Sequence, residues 1–236
     1  MRLHPNARHA LLNHVEREWP REAGGVIRDG GFHPVENLHD DPEHYWEFEL
    51  EDMAGVEAVI HSHPDGSAFP SRQDLQSQIA VGCLHGIVPV ADGVAGDVFF
   101  WPDRGRPYLG RPYRHGVTDC FTLIRDWYAR ERGIELPPQA YDWRWDLTSP
   151  QHDLFVRTRR ALGWRRVEPC EAQPGDVVVF AVGGSVGNHG GVLLEDGMLL
   201  HHPSVKPFDP TSLSHRTSVN RLARLARRIV EVSRPC

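Results

Sequence analysis

A β-branched run, Val56-Glu57-Ala58-Val59-Ile60, leads straight into His61-Ser62-His63. It reads as a buried strand that ends at the first histidine. Alternate residues of a strand project to one face, so His61 and His63 point together while Ser62 points away. Asp74 follows in Ser71-Arg72-Gln73-Asp74-Leu75, which reads as the first turn of a helix with Ser71 as N-cap. The chain must therefore fold as strand, loop and helix, with two imidazoles and a carboxylate at the strand's exit. Two His and one Asp make a three-ligand set for a single zinc ion, leaving a fourth position for water, as a catalytic zinc requires.

Composition excludes several classes. The 236 residues are 40% hydrophobic and 25% charged, ordinary for a globular chain and sufficient for two modest domains. A net charge of -6 gives no reason to expect a nucleic-acid partner. No apolar run approaches the ~20 residues that span a bilayer. The N-terminus enters an amphipathic helix rather than a signal peptide's apolar core, which points to a cytoplasmic origin. Cys83, Cys120, Cys170 and Cys236 are scattered with no Cys-x-x-Cys pair, so thiols are expected in a reducing compartment.

Along the chain, Leu11, Leu12, Val15 and Trp19 predict a helix over 6–19 that Pro20 stops. Gly24–Ile27 and Phe32–Val35 read as a hairpin around Asp29-Gly30. The acidic stretch Asp40–Asp52, with Trp46 and Phe48, reads as a flap or loop with a short strand. A helix over Leu75–Val81 and strands over Gly86–Val90 and Val98–Trp101 complete an α/β unit over 1–102. Pro102–Gly116, rich in Pro, Gly and Arg, marks a linker over 103–116. The second unit, 117–236, reads as helices over Cys120–Arg132, stopped by Gly133, and Gln151–Leu162. Strands follow over Val177–Ala181, Gly191–Leu194 and Met198–His201, an α+β order. Arg221, Arg224, Arg227 and Arg228 read as a solvated face.

Cys120 stands at the first turn of its helix, where amides and the helix dipole favour a thiolate. It is therefore expected to be the most reactive thiol, with Cys83, Cys170 and Cys236 as bystanders. Asn188-His189-Gly190 opens a strand, and His201 lies across the Asp196-Gly197 turn. The outer ends of such a hairpin face each other, so His201 would orient His189 while His189 pairs with the thiol, an order of nucleophile, base and orienting group.

The first half resembles the JAMM-type metallopeptidases, whose signature is His-x-His, seven residues, Ser, two residues and Asp; all four positions are filled here. The resemblance implies a mixed-sheet domain in which His61, His63 and Asp74 hold one zinc. It further implies that Glu22 acts as general base and that Ser71 helps stabilise the oxyanion. The second half resembles the papain-like NlpC-type cysteine peptidases, through Tyr113, Asp119-Cys120, Pro174-Gly175-Asp176, His189 and His201. It departs from them in Phe121-Thr122 after the cysteine and in Glu195 at the turn. His202 beside His201 leaves two candidates for the third residue. The resemblance implies Cys120 as nucleophile and Tyr113, contributed from the linker, at the substrate. The order of the two halves resembles lambda-like phage tail-tip assembly proteins. That implies synthesis in a bacterial host cytoplasm and a place at the virion tail tip. The implied partners are tail-tip proteins and the peptide of peptidoglycan, whose acidic groups the Tyr113-Arg114-His115 segment would receive. Two other readings stand beside a two-site hydrolase: a tail-assembly factor with one or both sites idle, and a cellular wall hydrolase.

Overall fold

The structure is a computed structural model that describes residues 1–49, 53–103, 105–148, 153–226 and 229–235, without the side chains of 148 and 223–226. It forms two compact units. One comprises Met1–Pro70 and Ser77–Asp103; the other is the rest of the chain, including the short segment Ser71–Gln76.

In the first unit, helix α1 (Pro5–Glu18) begins with proline at its first turn and buries Ala7, Leu11 and Val15, one residue per turn. Strands β1 (Gly24–Arg28) and β2 (Gly31–Val35) form the expected hairpin. Asp29 and Gly30 both adopt positive φ, 50° and 71°, the requirement of a type I′ turn. Strand β3 (Val56–His63) follows, then helix α2 (Arg72–Val81), of which the part from Ser77 belongs to this unit, strand β4 (Leu84–Ala91), β5 (Val94–Ala95) and β6 (Phe99–Trp101). The sheet order is β2-β1-β3-β4-β5, with β6 also on β4. Only β3 and β4 run parallel, so the sheet is mixed. Strand β3 runs past its expected end at His61 because both its edges are paired: Gly24 opposes His61 on β1, while Ile87 and Pro89 of β4 oppose His61 and His63. Leu11, Val15, Ile27, Ile60 and Val88 share the core between α1 and the sheet.

The short strand expected in the acidic stretch is absent among its described residues, and 50–52 lie outside them. Asn37 supplies the reason. Its amide nitrogen donates to the carbonyls of Glu22 and Tyr45, and its oxygen accepts from the amides of His39 and Glu47, so one side chain replaces a ladder.

The second unit begins with β7 (Pro112–Arg114) and α3 (Cys120–Trp127), which widens into a π-helical turn over Tyr128–Arg132. Gly133, at φ 64°, ends it as expected. Then come α4 (Trp145–Thr148), α5 (Leu154–Ala161), β8 (Arg165–Val167), β9 (Val177–Phe180), β10 (His189–Leu193), β11 (Met198–His201), β12 (Phe208–Leu213), β13 (His215–Ser218), α6 (Val219–Ala226) and β14 (Ile229–Arg234). The predicted helix over Gln151–Leu162 starts at Leu154, capped by Asp153; residues 151 and 152 lie outside the described ones. An antiparallel sheet runs β13-β11-β10-β9-β14-β8, and β12 pairs with β7. The fold is thus α+β, with a mixed sheet in the first unit and an antiparallel one in the second. Helix α3 buries Phe121, Leu123, Ile124 and Trp127 against this sheet. Gly190 permits both α3 and α5 to approach closely, because a Cβ there would stand 3.3 Å from Ile124 and 2.6 Å from the Phe155 ring of α5.

Of the arginines read as a solvated face, Arg221 is exposed on α6; Arg227, Arg228 and the Arg224 side chain lie outside the described residues, as does Cys236. Among the described residues, no helix is long and apolar enough to cross a membrane.

Candidate metal centre and candidate active site

Strand β3 delivers His61 and His63 to one face, both buried, with their Nε2 atoms 3.2 Å apart. Two nitrogens each ~2.0–2.1 Å from one tetrahedral zinc stand about 3.3 Å apart, so the pair already has ligand spacing. With a carboxylate oxygen of Asp74, the three ligand atoms lie within 4.8 Å of one another. Ser67 Oγ sits 2.7 Å from His63 Nδ1 and fixes that ring with Nε2 aimed at the shared point. The Trp46 indole stacks on His61 at 5.3 Å and 10°, and Phe48 stacks on Trp46 at 4.5 Å. This donor set fits a zinc ion.

Ser71 is the N-cap of α2: the Asp74 amide donates to its hydroxyl at 3.1 Å, and its own amide donates to Asp74 Oδ2 at 2.7 Å. Glu22 sits just before β1. Gly24 is level with His61, Ala23 exchanges two hydrogen bonds with Ser62, and Glu22 is the next residue before Ala23. The Glu22 backbone is held by Pro42 and Asn37.

In the second unit Asp119 caps α3. Its Oδ1 accepts from the amide and hydroxyl of Thr122, and its Oδ2 from the Gly116 amide and the Tyr141 hydroxyl. This carboxylate occupies the helix N-terminus on which Cys120 sits. Cys120 lines a cavity of about 490 Å3 with Tyr113, Asp119, Trp143, His189 and His202. Behind it, His189 Nε2 lies 2.9 Å from His201 Nδ1. Gly191 is the Cα partner of His201, so His189 is the diagonal neighbour on the same face. A Cβ at Gly191 would stand 3.0 Å from that of His201, so glycine leaves room for the ring to lean across. His201, rather than His202, thus meets His189. His202, just past the strand's end, turns to the Ser212 carbonyl at 3.2 Å and presents its ring to Tyr113.

The thiolate expected from the helix position does not hold. Burial, then the Asp119 charge, push the Cys120 thiol up to about 12, against hydrogen bonds from the Gly190, Cys120 and Phe121 backbone. Burial likewise pushes His189 down to about 4 and His201 down to about 3. Desolvation outweighs the helix dipole and the amides that still reach the sulfur, and the Asp119 charge that caps the Thr122 amide adds to it. At neutral pH the pair is a thiol and a neutral imidazole. Cys170, which is exposed, should therefore be alkylated faster at pH 7 than Cys120, reversing the order expected from position alone. Mass-spectrometric rates for the two thiols test this; Cys120 reacting first would refute a thiol raised by desolvation and Asp119.

Tyr113 is buried, and desolvation, Asp119 and Cys120 raise its phenol well above its usual range, so it remains an O–H donor. Arg114 lies over the Phe208 ring, 4.5 Å from its centre, and does not line the cavity. Its expected service to acidic groups gains no support from that position. His115 does line it, with Nε2 3.0 Å from the Tyr141 carbonyl. Sequence reasoning passed over Tyr141, Asn188 and His215. Asn188 ties the strand before His189 to Asp146 at 2.8 Å, and His215 Nε2 lies 3.1 Å from His201 Nε2. None carries a local signal, since each acts through a partner far along the chain.

Residues 4–103 match the family of prokaryotic homologues of the JAB domain, and residues 110–227 match the NlpC/P60 family. Tail tip assembly protein K of Escherichia phage N15 is 32% identical over 206 residues, 82% of this chain and 82% of that protein. Tail tip assembly protein K of Escherichia phage lambda is 35% identical over 162 residues, 68% of this chain and 75% of that protein. Among solved structures, the NlpC/p60 domain of peptidoglycan hydrolase SagA aligns at 19% identity with a TM-score of 0.35, over 54% of this chain and 89% of that one.

Proposed function

Because the chain belongs to the tail tip assembly protein K family, with a JAB homologue followed by an NlpC/P60 unit, we propose that it is a two-site peptidase of tail-tip assembly. Its cysteine site, in a domain over 117–236 with Tyr113 added from the 103–116 connection, cuts the stem peptide of peptidoglycan. Its zinc site, in a domain over 1–102, cuts a tail protein. The chain is made in the host cytoplasm and acts at the tail tip.

The observation that carries the cysteine reading is the His189–His201 hydrogen bond beside Cys120 in one cavity. Cys120 rests as a thiol, so its proton leaves for His189 as the sulfur attacks the scissile carbonyl, and the same proton serves the departing amine. His201 holds the His189 ring so that Nδ1 is the nitrogen left for the thiol. Tyr113, still protonated, offers its hydroxyl to the bound peptide.

At the other site His61, His63 and Asp74 would hold zinc, which when bound acidifies water and polarises a carbonyl. Glu22, next before the Ala23–Ser62 pairing, moves the proton to the leaving amine, and the Ser71 hydroxyl donates to the developing oxyanion. Zinc should copurify at about one per chain, and His61→Ala or Asp74→Ala should release it; metal analysis finding zinc retained in both variants would overturn these ligands.

A second reading, an assembly factor whose cysteine site is idle, draws on one observation, the thiol held at about 12. Digests of purified peptidoglycan and of tail proteins by wild type, Cys120→Ala and Glu22→Gln separate the two. The two-site reading expects one substrate lost per variant, and no digestion by wild type leaves the assembly factor.

A further inference from the structure

We propose that His215 is the outer end of a three-imidazole relay. When His189 takes the proton of Cys120, the positive charge passes through His201 and comes to rest on His215 at the surface. This rests on the cysteine-peptidase reading above.

The geometry is a line of three contacts. His189 Nε2 is 2.9 Å from His201 Nδ1, His201 Nε2 is 3.1 Å from His215 Nε2, and His215 Nδ1 is 2.9 Å from the Leu213 carbonyl. A carbonyl only accepts, so His215 Nδ1 carries a hydrogen. In the neutral ring its Nε2 is then a lone pair and accepts from His201 Nε2. His201 Nδ1 is left to accept from His189 Nε2, and His189 Nδ1 keeps the lone pair that serves as base. One main-chain oxygen thereby sets the tautomer of three rings.

The proton transfers balance. The S–H bond of Cys120 breaks and its proton joins His189 Nδ1; the Nε2 proton of His189 crosses to His201 Nδ1; the Nε2 proton of His201 crosses to His215 Nε2. One proton has left sulfur, His189 and His201 end neutral, and His215 ends as imidazolium. Reversing the three transfers hands a proton to the leaving amine.

The two inner rings are poor homes for charge, since burial holds His189 near 4 and His201 near 3. His215 is exposed, where water stabilises a cation. The other charged or titratable groups near it are few. His201 faces it from β11, with His189 and His202 behind. Arg216 on its own strand pairs with Asp196, and α6, packed on β13, carries Arg221. Among the described residues no carboxylate hydrogen-bonds His215.

The test is nitrogen NMR of the histidine rings in the whole 236-residue chain, beside the pH profile of stem-peptide release. As pH falls, wild type should protonate His189 Nδ1 in the same titration that makes His215 imidazolium. His215→Gln still accepts from His201 but holds no cation. It should move the His189 Nδ1 titration and the acid limb of kcat at least about one pH unit lower. His215→Phe, which removes the acceptor as well, should lower kcat by about 10- to 100-fold, less than loss of the general base itself. The relay is overturned if His189 Nδ1 stays bare while His215 titrates, or if its titration is unmoved in His215→Gln. The spectra need no substrate. A wild type that shows the relay yet leaves peptidoglycan uncut would therefore sink the peptidase reading and spare this one.

Discussion

Cys120→Ala should abolish release of stem-peptide fragments from purified peptidoglycan, a fall of at least about 10^4-fold in kcat, the scale on which a nucleophile's loss is felt. The size follows from the cavity's chemistry. Among its lining side chains Cys120 is the one thiol, and alanine leaves His189 a base with no proton to take. Nucleophile and base act as a unit, so Cys120→Ala with His189→Ala should be no worse than either alone. Glu22→Gln, just before β1 in the other unit, should leave this activity at the wild-type level. Chromatographic analysis of released muropeptides decides it, and fragments still released by Cys120→Ala would remove Cys120 as nucleophile.

Gly24→Ala should cost the first unit both stability and zinc. A Cβ on Gly24 would lie 2.2 Å from the Ile60 carbonyl oxygen and 2.9 Å from the His61 Cα. Both are backbone atoms of a strand paired on each edge, so no side-chain rotation relieves the clash. Overpacking costs about 1–3 kcal/mol and more where backbone must move. At ~4–8 °C per kcal/mol for a unit this small, the first unit should melt roughly 10 °C lower. The displaced strand carries His61, so zinc per chain should fall with it. Gly30→Ala is the control: nothing lies within 4 Å, and only the positive φ of 71° is strained. It should cost about 1 kcal/mol and keep the metal. Calorimetry with metal analysis settles this; a Gly24→Ala chain with wild-type melting and full zinc would show that β1 does not hold the His61 end of β3.

Where sequence and structure agree, the agreement comes from short-range chemistry. Asp29-Gly30 made a turn because both residues tolerate positive φ, and Ser71 capped α2 because a hydroxyl three residues ahead of an amide reaches it. His61 and His63 met because strand periodicity is two. The acidic stretch failed as a strand because Asn37 took its backbone partners, a competition that residue pattern does not reveal. Strand β14 went unseen for a similar reason. It becomes a strand by filling the gap between β9 and β8, and Arg234 pairs there with Asp176, 2.7 Å away and far earlier in the chain.

The amino-acid order alone thus determined where the candidate metal donors, the thiol and the turns fall, because each depends on neighbours within a few residues. Only the tertiary structure decided how Cys120 is charged and which rings stand behind His189. Desolvation depends on everything packed around an atom, and here burial overrode the helix end that local position had favoured. The choice of His201 over His202, and the presence of His215, came from strand register, in which one step turns a side chain to the opposite face.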